Sequence, residues 1–194
     1  MDILFKIDTQ ILLWFNSWVG WYDWVDITIV FRVEILPYFF IAGLMFFAVF
    51  YKNEEQKIKN RLIILEALAA GLISRYVITE TIRFLYNRPR PFEAVEGLNQ
   101  LLQHLPGYSF PSGHATFYFA LAATIFLYHK KAGILFLFAA FQLTLTRIAI
   151  GFHWPSDILA GAILGITISL VVHYLEKYTP YGFKKIFIDI LKKY

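Results

Sequence analysis

Cysteine is absent from the 194 residues. Neither a disulfide framework nor a thiolate, as metal ligand or as nucleophile, is therefore available. Charge is scarce as well: Asp, Glu, Lys and Arg make up 16% of the sequence. What fills the space is apolar. The hydrophobic fraction is 58% and aromatic residues reach 19%, against roughly 45–50% apolar in soluble domains. Such a composition, with a mean hydropathy of +0.55, indicates an integral membrane protein, and the length allows one domain, 1–194. The net charge of +4 is then no sign of nucleic acid, because lysine and arginine set topology in a membrane chain. The start, Met1 to Asp8, lacks a basic n-region and a small-residue cleavage site, so no cleavable signal peptide is expected.

A crossing helix needs about 20 mostly apolar residues. Five segments qualify: 35–51, 62–82, 114–129, 132–150 and 156–175. The expected fold class is all-α, a polytopic transmembrane bundle of five spans. Before them, Ile3, Leu4, Ile7, Ile11, Leu12 and Phe15 recur at helical spacing, with Lys6, Asp8, Thr9, Gln10 and Asn16 between. That is the pattern of an amphipathic helix lying in the interface. Trp14, Trp18, Trp21, Tyr22 and Trp24 form an aromatic belt after it. Residues 25–34 carry Asp26, Arg32 and Glu34. They read either as a second interfacial segment, completing an interfacial region over 1–34, or as the lower part of a long first span. A sixth span at the N-terminus is the alternative count.

Lysine and arginine then set the orientation. Lys52, Lys57, Lys59 and Arg61 lie between spans one and two, and Lys130 and Lys131 between spans three and four. Lys177, Lys184, Lys185, Lys192 and Lys193 follow span five, in a basic tail over 176–194. With five spans all of these face the cytoplasm. The opposite side, outside an inner (cytoplasmic) membrane, receives three polar clusters within 83–157. These are Arg83 to Pro91, with Arg88 and Arg90; Pro111-Ser112-Gly113-His114; and Thr146-Arg147 with His153 and Asp157.

Their chemistry is that of phosphate. Ser112 suits a helix N-cap and Gly113 allows close backbone approach, at a helix start whose free N–H groups favour anions. Arginine matches phosphate oxygens through a planar fork of donors and stays charged. An imidazole becomes a nucleophile when a third group orients it, and Asp157, four residues after His153, can reach one of its ring nitrogens. His114, on another span, is left free as general acid for the leaving oxygen. Arg75 and Glu80, inside span two, read either as a functional ion or as partners within the bundle.

Arg83-x6-Arg90-Pro91, Pro-Ser-Gly-His at 111–114 and Thr146-Arg147-x5-His153-x3-Asp157 resemble the three motifs of the type 2 phosphatidate phosphatase (PAP2) superfamily, which also includes vanadium haloperoxidases. Two positions depart from it. Arg83 stands where Lys usually opens the first motif, and Thr146 where Ser opens the third. The resemblance implies a phosphohistidine on His153 partnered by Asp157, and protonation of the leaving group by His114. It also implies phosphoryl oxygens held by Arg83, Arg90 and Arg147 with Ser112 and the Gly113 backbone, and no metal or other cofactor. Arg88 lies outside the pattern, as a headgroup contact or a solvated side chain.

The leading expectation is a lipid phosphatase acting on undecaprenyl pyrophosphate. The alternatives are a lipid A 1-phosphatase and a phosphatidylglycerophosphate or phosphatidate phosphatase. The membrane lipid is the only expected partner class. Two other readings use the same residues. One is a metal-dependent hydrolase with His114, His153 and Asp157 as ligands, which the surrounding arginines disfavour. The other is a transporter with the buried charges as its path. His129 and His173 are expected to be packing residues, His104, Glu93 and Glu96 to be solvated, and Tyr108 and Phe110 to be lipid-facing packing residues, with a place at the acyl-chain entrance as the alternative.

Overall fold

The computed structural model describes residues 3–50 and 53–178, and among them all regular structure is helical. In chain order the helices are α1 (Ile3–Asn16), α2 (Asp23–Val49), α3 (Glu54–Leu85), the single-turn α4 (Pro91–Ala94), α5 (Gly113–Tyr128), α6 (Lys130–Ala149) and α7 (Pro155–Tyr178). Four of them, α2, α3, α6 and α7, are long and apolar enough to cross a bilayer, and α5 is a shorter apolar helix of 16 residues. The five expected spans are these helices. Residues 25–34 prove to be the first part of a long α2. Of the expected basic tail, only 176–178 lie within the described residues.

Local chemistry accounts for the helix limits. Asn53 caps α3 by accepting from the Glu55 N–H at 2.9 Å, with Glu54 and Glu55 in the first turn against the helix dipole. The Asn87-Arg88-Pro89 sequence follows its end, where the residue before proline is driven out of the helical region. Ser112 caps α5, and Pro155 opens α7 at the position where a missing N–H costs nothing. Two π-helical turns widen the long helices, Phe31–Ile35 in α2 and Ile73–Ile78 in α3. The first sits just before Pro37, whose ring and missing N–H disturb the regular ladder. The second is pinned from outside. Thr79 Oγ1 donates to the Ser74 carbonyl at 2.8 Å and lies 3.0 Å from Thr116 Oγ1, while Ser74 Oγ donates to the Thr116 carbonyl at 3.2 Å.

Helix α5 is the axis of the bundle and packs against α3, α6 and α7. Its inward positions Ala115, Ala120 and Ala122 are fully buried, so neighbouring backbones come close. On α7, a Cβ added to Gly161 would stand 2.7 Å from the Ser112 carbonyl, and one on Gly165 would run into the Thr116 carbonyl. Phe40, Leu44, Ile63, Leu121, Ile125 and Leu143 fill the core at the end remote from the polar clusters. Large apolar residues such as Phe39, Met45, Leu135, Phe138 and Ile163 point outward, as lipid-facing positions should. Polar residues are paired inside: Thr124 and Ser169 meet at 2.9 Å, and buried Glu66 accepts from Tyr128 at 2.7 Å and lies 3.0 Å from His173 Nδ1.

The same inversion governs α1. Its buried residues are Asp8, Leu12 and Asn16, one face at four-residue spacing, while Ile3, Leu4, Ile7 and Ile11 are exposed. The helix is amphipathic as expected, with Asp8 and Asn16 turned toward the bundle and Lys6 and Gln10 exposed. Asn16 donates to the Asn99 and Ala149 carbonyls at 2.8 and 2.7 Å and accepts from the Asn99 N–H at 2.9 Å. These bonds tie α1 to the outer loop and to the end of α6.

Candidate active site

Four helix ends meet at one end of the bundle: the last turns of α3 and α6 and the first turns of α5 and α7. Between them run the Arg88–Pro91 stretch and the tight turn at 150–154. Gly151 adopts φ +73° there, a left-handed conformation that suits glycine. The turn is held from inside, since the Arg147 carbonyl accepts from the N–H groups of Phe152 and His153 at 3.0 and 3.2 Å. This folds the third motif back on itself and sets His153 at the centre of the cluster, 3% exposed.

The histidine's tautomer follows from its neighbours. Nδ1 lies 2.9 Å from the Ser109 carbonyl and 3.5 Å from Asp157 Oδ2. Both are acceptors, so Nδ1 carries the proton and Nε2 keeps its lone pair. Nε2 points toward Arg90, whose Nη1 is 3.4 Å away and donates to the Phe152 carbonyl at 2.9 Å. Burial is the main cause that lowers the His153 pKa, to about 4, against the opposing hydrogen bond and charge of Asp157. At neutral pH the ring is therefore an uncharged imidazole with a free nucleophilic nitrogen.

Asp157 is fully buried and fully engaged. Oδ2 accepts from the Trp154 N–H at 2.9 Å, Oδ1 accepts from Arg88 Nη1 at 2.7 Å, and its carbonyl accepts from the Ser112 N–H at 3.0 Å. The last bond joins the starts of α5 and α7. Arg88 does more than its place in the sequence suggests. Nη1 also donates to Ser156 Oγ at 2.7 Å, Nη2 donates to Asp8 Oδ2 at 2.6 Å, and the guanidinium lies 5.0 Å from the Trp154 ring centre. Asp8 in turn accepts from the Ser156 N–H at 2.9 Å. Arg88 is thus directed inward, onto two buried carboxylates, instead of outward to a headgroup or water.

Three arginines surround the remaining space. Arg83 Nη2 donates to the Pro111 carbonyl at 3.2 Å and Nη1 to Glu80 at 3.2 Å. Arg90 and Arg147 are 5% and 7% exposed. In all three, the buried Nε–H has no hydrogen-bond partner among the described residues. A buried donor without an acceptor costs about 1–3 kcal/mol, and three on cationic groups at one site mark a place for an oxyanion. Burial, followed by the nearby Arg83 charge, pulls Arg90 down to about 10, so it remains a cation at neutral pH. His114, in the first turn of α5, makes no hydrogen bond among the described residues. Its ring lies 6.3 Å from that of Tyr118. Gly113 is covered by the side chain of Arg75, whose Nε stands 2.5 Å from where a Cβ would be.

The structure therefore links His153, Asp157, Arg90, Arg88 and Ser112 by direct contacts. Arg83 joins through Pro111, Arg147 through its carbonyl, and Gly113 through Arg75. Among the described residues, no group of three His, Asp or Glu side chains converges as metal ligands, which removes the donor set that a zinc site on His114, His153 and Asp157 requires. His129 and His173 pack against Phe47 and Glu66 at the far end. Glu93 accepts from the Arg90 N–H at 3.1 Å, and His104 lies exposed over the Phe152 ring at 4.6 Å. Phe110 borders a groove of about 550 Å³ with Leu4, Tyr86, Arg88 and Trp154, adjoining the cluster. Reading by residue type missed Asp8, Ser109 and Ser156. The one available signal was the stripe of Asp8 and Asn16 on the same face of α1.

Comparison with known proteins gives the same picture. Residues 62–180 match the PAP2 superfamily. The bacitracin transport permease protein BcrC of Bacillus licheniformis is 32% identical over 153 residues, 79% of this chain and 72% of that one. An undecaprenyl-diphosphatase of Sulfolobus acidocaldarius is 33% identical over 115 residues, 59% of this chain and 52% of its own length. A lipid A 4'-phosphatase of Bacteroides thetaiotaomicron is 28% identical over 173 residues, covering 85% and 75%. The crystal structure of Aquifex aeolicus LpxE shares the fold, with a TM-score of 0.67 at 22% identity over 86% of this chain and 94% of that one. With all three motifs present and the family match extending over most of the helical core, the chain belongs to the PAP2 superfamily of membrane lipid phosphatases.

Proposed function

We propose that this protein removes the terminal phosphate of a prenyl diphosphate, most closely undecaprenyl pyrophosphate, through a phosphohistidine on His153 and without a metal. The single observation that carries the phosphoryl chemistry is the set of three buried Nε–H groups, on Arg83, Arg90 and Arg147, left without acceptors among the described residues, with Arg90 beside the neutral imidazole of His153. They supply donors, fixed in advance, for a phosphoryl group whose charge is spread over its outer oxygens in the transition state.

In this reaction His153 Nε2 attacks the terminal phosphorus. A P–N bond forms while the bond from phosphorus to the leaving oxygen breaks, and His114 gives that oxygen its proton. Nδ1–H keeps its bond to the Ser109 carbonyl, and Asp157 offsets the positive charge that develops on the ring. Water, deprotonated by His114, then attacks the phosphorus: a P–O bond forms, the P–N bond to His153 breaks, and orthophosphate leaves. Ser112 and Gly113 set the start of α5 against the phosphoryl oxygens, with the first-turn N–H groups pointing outward by helix geometry. Residues 1–194 act as one catalytic domain in a cytoplasmic membrane. The lysine distribution supports a site on the outer face, where the lipid keeps its tail in the bilayer.

Relatives named for undecaprenyl diphosphate support the prenyl substrate, and those named for lipid A support a second reading as a lipid A phosphatase. Phosphate release from detergent-solubilised undecaprenyl pyrophosphate, lipid A, phosphatidylglycerophosphate and phosphatidate separates them. The prenyl diphosphate should turn over fastest, with vanadate inhibition and resistance to chelators. If no lipid is cleaved, or if His153→Ala leaves cleavage intact, the proposal fails.

A further inference from the structure

Arg75 is a fifth arginine at the site, after Arg83, Arg88, Arg90 and Arg147, and none of the three motifs contains it. It lies inside α3, eight residues before Arg83. In a regular helix eight residues rotate by about 80° beyond two full turns, which would turn Arg75 off the face of Arg83. The π turn at Ile73–Ile78 absorbs one residue. The separation then behaves as seven, and the two side chains differ by only about 20°. The same correction makes Glu80, five residues on, a neighbour of Arg75 as if at i,i+4. Accordingly, Glu80 Oε1 pairs with Arg75 Nη1 and also accepts from Arg83 Nη1 at 3.2 Å.

One carboxylate thus stands between two guanidiniums. The Arg75 side chain is 26% exposed and that of Glu80 is 48% exposed, so the pair lies open at the surface of the bundle rather than sealed inside it. Arg75 lies flat over Gly113, beside His114, the proposed donor to the leaving oxygen. It is therefore on the leaving-group side of the reaction. A lipid monophosphate leaves as an uncharged alcohol and gives a cation there nothing to hold. A lipid diphosphate leaves as a phosphate that carries charge at that place.

We infer that Arg75 is a specificity-determining ligand for the second phosphate of a diphosphate substrate, which takes the position that Glu80 holds on Arg75. The inference rests on the phosphatase reading above and names its substrate class. Its chemistry is the stated one. The P–O bond from the terminal phosphorus to the bridging oxygen breaks, His114 protonates that oxygen, and the departing lipid phosphate stays bonded to Arg75 until it leaves.

Farnesyl diphosphate and farnesyl monophosphate share one tail and differ by one phosphate, which isolates the effect. With detergent-solubilised full-length enzyme, Arg75→Gln should lower kcat/KM for the diphosphate on the order of 10- to 100-fold relative to the monophosphate, the scale of one charge-assisted hydrogen bond. Arg75→Lys, which keeps the charge without the planar fork, should recover part of that ratio. It also serves in place of Arg75→Gln if that variant does not fold. Inhibition by inorganic pyrophosphate should weaken in step, while inhibition by orthophosphate should not. Equal losses on both substrates, or none, overturn the inference while leaving the phosphatase reading intact. Wild-type enzyme that cleaves only the monophosphate removes the diphosphate reading and this inference with it.

Discussion

Arg88 Nη1 and Asp157 Oδ1 meet at 2.7 Å, while the other arm of the same guanidinium reaches Asp8 at 2.6 Å, so one cation joins the proposed catalytic carboxylate to the first helix of the chain. Both carboxylates are buried, at 0% and 3% side-chain exposure. Removing the cation leaves two uncompensated charges, a loss of about 3–5 kcal/mol for a broken buried pair. Arg88→Ala should therefore lower the thermal unfolding midpoint in detergent and also reduce kcat. Combining it with Asp8→Asn should restore part of the stability. A double-mutant cycle on the two substitutions should give a coupling energy of at least about 0.5 kcal/mol, whereas strict additivity would show that Arg88 and Asp8 do not act together.

The pH response follows from the depressed His153 pKa. An ordinary imidazole begins to lose its free lone pair as pH falls through about 6.5. His153 keeps it until pH falls toward about 4. In ¹⁵N NMR of histidine-labelled protein, the resonance lost in His153→Ala should still show one protonated and one bare ring nitrogen at pH 5.5. A doubly protonated ring at that pH would show that the site is wetter than its burial implies.

Close packing of α5 on α7 separates structural glycines from functional ones. A Cβ on Gly165 would meet backbone of Thr116, which cannot move aside as a side chain can. Gly165→Ala should cost about 1–3 kcal/mol of stability, with little change in the KM of the folded fraction. At Gly113 the obstacle is the Arg75 side chain. Gly113→Ala should be milder in stability and should depress activity, because Arg75 has to move. The unfolding midpoint and KM, measured together on both variants, check the distinction.

At the remote end of the bundle, Tyr128→Phe removes a donor to buried Glu66. The expected cost is about 1.5–3 kcal/mol, the scale of a hydrogen bond to a charged group. Turnover per folded molecule should stay at the wild-type value. A fall in kcat without a fall in stability would contradict this assignment.

The parts of this fold that follow from composition were legible along the chain: the apolar runs became α2, α3, α5, α6 and α7, and the spacing of the polar clusters placed them at helix ends that meet. The amphipathic α1 was legible as well, but not the partners of its polar residues: Asp8 and Asn16 turn inward to satisfy Arg88, Ser156 and the carbonyls of Asn99 and Ala149. The Ser109 carbonyl, the nearest acceptor to His153 Nδ1, has no signature in residue type, since every residue carries one. Nor could the sequence disclose the π turn in α3. Contacts with Thr116, some forty residues downstream, hold it in place, and that turn decides where Arg75 points.

Helix α5, at 16 residues, is about 24 Å long against a hydrocarbon layer of roughly 30 Å. It cannot reach both water layers, so at least one of its ends sits below the plane where headgroups normally float. Ser112, Gly113 and His114 stand at one end and Tyr128, bonded to Glu66, at the other. A shortfall at the first end would set the arginines below the headgroups, where a phosphate could meet them while its tail stays in the leaflet, and depth alone would favour amphiphiles over soluble phosphates.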